Sequence, residues 1–168
     1  MTYQEMMIKD LQDLYQAESE QARELPKLAR LVESQQLRTA LEEHATETQQ
    51  QVLRLQEVLG MMDQTPGGSG EVPLGVRGVV SEAMKKSEQF QDPLLKDLAL
   101  IAAAQKMEHY EIACNGSARA TARTAGLDEA ARLLQTSLDE EEAADRRLTE
   151  IALPIHKQAA EKEPAIAH

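Results

Sequence analysis

Residues 98–113, LALIAAAQKMEHYEIA, constrain the chain more than any other stretch. An apolar run turns without a break into Glu108, His109, Tyr110 and Glu111. Leu98, Ile101, Ala102, Gln105, then Glu108 or His109, and Ile112 recur at three-and-four spacing, so the ionisable cluster continues the buried stripe of a helix. Charge sits where core belongs. A buried carboxylate is costly unless it is paired, hydrogen-bonded or bound to a metal, so this run calls for a compensating cation.

The remaining sequence predicts a helical bundle. The chain has 168 residues, enough for one domain with a proper core, with 42% hydrophobic and only 2% aromatic residues, no Trp and seven Met. A net charge of -11 speaks against nucleic acid as a partner and favours cations, metal ions among them. The single Cys114 cannot form an internal disulfide, and the first thirty residues lack the pattern of a secretory leader, which makes the cytoplasm the expected compartment. No apolar run approaches a membrane span.

Four long helices and a middle insert follow from the pattern. The first is predicted from the cap Thr2 to about Val32, with Met7, Leu11, Leu14 or Tyr15, Glu18, Ala22, Leu25 and Leu28 on one face and Pro26 bending it locally. Ser34 caps the second, whose stripe is Leu37, Leu41, His44, Glu47 or Thr48, Val52, Leu55 and Leu59, ending at Gly60. Residues 61–73 read as a loop and residues 74–90 as a shorter helix. So long a connection suits a bundle whose second and third long helices lie parallel, because the chain must cross its full length. Pro93 opens the third long helix, Gly126 ends it, and Asp128 begins the fourth, with Leu134, Leu138, Glu141 or Glu142, Asp145, Leu148 and Ala152 as its stripe. Pro154 is expected to close that helix, giving a bundle domain over 1–153 and a polar, frayed tail over 154–168.

Residues equidistant from the turn of an antiparallel hairpin lie at one height. Glu18 and Glu47 are centred between residues 32 and 33, and Glu108 and Glu142 on residue 125. At roughly 1.5 Å per residue both pairs lie about 20 to 25 Å from their turns, in one layer. Four such carboxylates repel one another, and two divalent ions between them remove the repulsion. The di-metal carboxylate template asks for Glu on two helices and Glu-x-x-His on the other two. Here the glutamates are present, but the imidazole comes one turn early, as His44-x-x-Glu47. Asp145 stands three residues after Glu142, and Glu111 three after Glu108. Such an oxygen-rich inventory suits Fe or Mn and is acceptable to Zn.

AAQKMEHYEIA, the string ARLLQTSLDEEEAADRRLTEIA, and YQAE with HATET in the first hairpin resemble the YciE/YciF-type stress proteins of the ferritin-like superfamily, over about residues 3–153. The resemblance implies an all-α, ferritin-like four-helix bundle with a short additional helix on the crossover, a homodimer, and a di-metal site in the bundle core. Carried over by position, that site uses Glu18, His44, Glu47, Glu108, Glu111, Glu142 and Asp145 as metal ligands. Two functions are compatible with this reading. One is a di-iron oxidoreductase that reacts with peroxide or dioxygen, or oxidises iron, with Glu47 and Glu142 as bridging carboxylates. The other is a non-catalytic, metal-stabilised dimer that works through contacts.

Overall fold

The structure is a computed structural model and describes residues 1–67 and 70–162. It has five helices: α1 Tyr3–Ala29, α2 Gln35–Gly60, α3 Leu74–Gln89, α4 Pro93–Thr124 and α5 Asp128–Glu161. No strand occurs among the described residues, and none of their helices is long and apolar enough to cross a membrane. This is the expected all-α bundle with a short helix on its crossover. Of the predicted loop 61–73, Gly68 and Ser69 lie outside the described residues, as do 163–168 of the predicted tail.

Local chemistry sets the helix ends. Thr2 and Glu5 form a capping box at the start of α1, and the Ser34 hydroxyl accepts from Leu37 N at the start of α2. Asp92 accepts from Leu94 N, with Pro93 in the first turn of α4, where its missing N–H costs nothing. At the far end of α4, Gly126 adopts φ +77, Leu127 N donates to Ala122 O, and Gly126 N donates to Arg123 O. That double bond satisfies two orphan carbonyls and needs the left-handed conformation that glycine adopts freely.

Two apolar clusters establish how the helices run. One joins Leu25 and Ala29 from the end of α1 to Leu37 and Leu41 from the start of α2, Leu100 and Ile101 from the start of α4, and Leu148 and Ile151 from late α5. The other joins Leu11 and Leu14 to Leu55 and Leu59, Ala118 and Ala122, and Ala130 and Leu134. Hence α2 and α4 run parallel and α1 and α5 run against them, as the long crossover requires. Around the bundle the order is α1, α2, α5, α4, and α3 lies on α4 and the edge of α1 through Val76, Met107 and Ala17. A fully buried Leu contributes about 1.5 to 3 kcal/mol relative to an exposed one, so these clusters hold the helices together from both ends. The layer between them is polar.

The chain departs from the sequence expectation at two places. Pro154 does not close the last helix, which continues to Glu161 through the first part of the tail expected from residue 154. Pro154 and Glu150 are both exposed, so the carbonyl deprived of its donor is on the solvent side, while Ile151 and Ile155 keep the helix seated in the core. On α2 the fully buried position is Gln51, and Val52 is only part-buried.

One buried acid fixes the first turn against α4. Asp97 is 1% exposed, and its two oxygens accept from Glu33 N at 2.9 Å and Ser34 N at 2.8 Å. It sets the height of the α1–α2 hairpin relative to α4. Asp97→Ala leaves two backbone donors without acceptors and is expected to cost about 3 kcal/mol, with Asp97→Asn losing about half of that. Urea unfolding midpoints of the two variants measure it.

Candidate metal centre

Each of the four long helices sends at least one polar side chain into the layer between the clusters. Glu18 comes from α1, His44 from α2, Glu108 and Glu111 from α4, and Glu141 from α5; the four glutamates have no solvent exposure and His44 has 6%. Their ligating atoms fall into two triplets, each with atoms within 4.8 Å of one another: His44, Glu108 and Glu141, and Glu18, Glu111 and Glu141. Glu141 belongs to both.

Of the seven site residues named from the sequence, Glu18, His44, Glu108 and Glu111 meet in this layer, and Glu47, Glu142 and Asp145 do not. Glu142 is 47% exposed and lies 3.6 Å from Arg146, so the inward carboxylate of α5 is its neighbour Glu141. Adjacent helical residues diverge by about 100°, which is why height alone could not separate the two. Asp145 is part-buried, accepts from Gln105 Nε2 at 3.0 Å, and sits in the seam between α4 and α5 with His109 Nε2 at 3.6 Å. Glu47 lies at the rim, its side chain 52% exposed, with Oε2 3.4 Å from His44 Nδ1. It stands about 60° around α2 from His44, whereas Thr48 and Gln51 complete the inward stripe within about 40°.

The acidic run of α5 is divided by direction. Asp139 accepts from Gln135, and Glu140 receives Arg54 of α2 in a two-pronged pair at 2.6 Å, joined by Gln51 Nε2 at 3.1 Å. That clamp presses α5 onto α2 and uses the nearest guanidinium on Glu140. Glu141 is left without one.

Buried amides line the layer, and sequence reasoning missed them. Gln21 Nε2 approaches His44 Nε2 at 3.2 Å; Asn115 Nδ2 donates to Glu18 Oε1 at 3.4 Å and to Glu111 O at 3.2 Å. Their signal was present as spacing, since Gln21 follows Glu18 by three and Asn115 follows Glu111 by four.

The electrostatics are those of an under-compensated acidic centre. Apart from Glu18 Oε1, every carboxylate oxygen of Glu18, Glu108, Glu111 and Glu141 is buried without a hydrogen bond. His44 Nε2 approaches Glu108 Oε2 at 3.1 Å and Glu141 Oε2 at 3.5 Å, at ion-pair distance. Burial, helped by neighbouring acids, pushes Glu18 up to about 7 and holds Glu111 and Glu141 well above the usual carboxylate range. Burial pulls His44 down, but Glu108, Glu47 and Glu141 outweigh it and hold the imidazolium well above its ordinary value. Orphaned carboxylate oxygens gathered with one imidazole in two three-residue groups could hold a metal ion.

Comparison with known proteins agrees with this architecture. Residues 2–161 match the family described as a domain of unknown function, DUF892. The chain is 36% identical to Protein YciF of Escherichia coli strain K12 over 162 residues, 96% of this chain and 97% of that one. The crystal structure of that E. coli stress protein superposes with a TM-score of 0.88 at 35% identity, covering 94% of this chain and 98% of the other. YcfI of Rhodopseudomonas palustris superposes with a TM-score of 0.85 at 34% identity, covering 89% and 94%.

The raised acids give a pH dependence with a definite sign. A group whose folded-state pKa is raised binds more protons folded than unfolded, so its stabilisation is complete below its unfolded pKa and is lost as pH rises through the folded value. For Glu18 that window runs from 4.5 to about 7, and Glu111 and Glu141 extend it upward. Metal-free protein is therefore expected to melt at a lower temperature at about pH 8 than at about pH 5, and Mn(II) to restore more of the loss at the higher pH. Calorimetry with and without the ion at both pH values checks this.

Proposed function

The chain belongs to the DUF892 family, to which its resemblance to YciF-type stress proteins pointed, and we propose that it is a di-metal carboxylate protein whose buried layer holds two iron ions. The observation that carries the proposal is the convergence of His44, Glu108 and Glu141, and of Glu18, Glu111 and Glu141, as two fully buried triplets sharing one carboxylate. Structural packing alone gives no reason to withdraw four carboxylates from water at one height.

In this reading Glu141 takes the bridging place that the sequence assigned to Glu142, and Glu47 borders the centre. Iron bound there would supply the electrons for reducing peroxide or dioxygen, or would itself be the ferrous substrate to be oxidised. The residues of the chain do the rest. Asn115 orients Glu18, and Gln21 Nε2, 3.2 Å from His44 Nε2, steadies the edge of the ring that faces the layer. The Glu47 carboxylate faces His44 Nδ1, which leaves Nε2 directed at the layer. The two apolar clusters close the layer to water from above and below. A homodimer of stress-response type, implied by the sequence resemblance, belongs to the same proposal.

Two measurements test it. Glu141→Ala is expected to lose about half or more of the bound metal, because both triplets share it, while Glu142→Ala retains wild-type content. Equal content in both variants, read by elemental analysis, removes the assignment. Stopped-flow mixing of the ferrous protein with peroxide and with dioxygen is expected to show oxidation at least about tenfold faster than free iron with one of them. No acceleration with either would leave a protein whose metals only neutralise its interior.

A further inference from the structure

Among the described residues, two openings that touch the buried layer differ in chemistry. Between α2 and α5 a cleft of about 120 Å³ leads to His44 and Glu108, with Glu47, Ala143, Ala144 and Arg147 around it. Between α1 and α4, beneath α3, a narrower gap of about 30 Å³ also reaches Glu108, past Leu28, Val80, Ala104 and Met107. The narrower gap has the volume of about one water, whereas the cleft has room for several.

We propose that the α2–α5 cleft is the way a hydrated divalent cation passes between solvent and the buried carboxylates, with Glu47 as its first ligand and Ala144 as the residue that keeps the passage open. This rests on the reading of the layer as a metal centre. The lining of the gap is mostly apolar, and of the two oxygen bearers it has besides Glu108, Gln21 and Glu24, the carboxylate is already engaged by Lys27, so a dication moving through it would shed hydration with little to replace it, which is costly. The cleft offers replacements in sequence. Glu47 stands at its mouth, half exposed, with Oε2 3.4 Å from His44 Nδ1, and the same imidazole reaches Glu108 Oε2 through Nε2 at 3.1 Å. The cation that faces this mouth, Arg147, is engaged by Glu43. The α5 side chains that line the passage are Ala143, exposed, Ala144, part-buried, Arg147 and Leu148, and a larger side chain at Ala144 would narrow the cleft between them.

The test follows Co(II) binding to metal-free protein by its visible absorbance, in uptake and in removal by excess chelator. Ala144→Leu is expected to slow uptake and release alike, by about tenfold or more, with stoichiometry and affinity unchanged, as a narrowed passage requires. Glu47→Gln is expected to slow uptake while preserving stoichiometry. Val80→Leu, which narrows the apolar gap, is expected to match wild type in both directions. Unchanged rates in Ala144→Leu, or slowing confined to Val80→Leu, would overturn the passage while leaving the metal centre standing. Failure of the wild-type protein to bind Co(II) would remove both.

Discussion

Four carboxylates held out of water in one layer are the condition to which the surrounding structure answers. Their mutual repulsion and lost hydration oppose folding, so the layer can persist only if strong apolar packing brackets it and cations or protons enter it. Both appear in the molecule. Leucine-rich clusters lie on either side, and His44, with protons on the raised acids, supplies the compensation in the metal-free chain. Divalent ions would displace those protons, which couples the filling of the site to its electrostatics and to the rigidity of all four helices.

The geometry of the layer depends on contacts outside it. Asp97 ties the α1–α2 turn to the start of α4 and so places Glu18 and His44 at the height of Glu108. The Arg54–Glu140 pair holds α5 to α2 within one residue of Glu141. Each of these is a directional polar contact between helices whose apolar faces alone would tolerate sliding by a turn. Small residues matter as much: Ala143 and Ala144 leave the α2–α5 face open beside the carboxylates, while α3 covers the α4 side.

Much of the fold was legible from residue order alone because its signals are local. Caps at Thr2 and Ser34, Pro93 opening the third long helix, the stop at Gly126 and the three-and-four spacing of leucines each act within one or two turns. Pro154 misled because its effect is not local: a proline ends a helix unless tertiary packing holds the next turn, and Ile155 in the core does so.

Of the candidate site, the sequence by itself determined the height at which ionisable side chains gather inside the bundle, because hairpin length and rise per residue are properties of the chain. Glu18 and Glu108 were readable on that basis, and His44 and Glu111 from their spacing of one helical turn to Glu47 and Glu108. Which of Glu141 and Glu142 faces inward, and that Glu47 stays at the rim while Gln21, Gln51 and Asn115 are buried, was decided only when the helices packed. Packing sets the rotation of each helix about its own axis, and a single step of about 100° carries a carboxylate from the centre of a bundle to its surface.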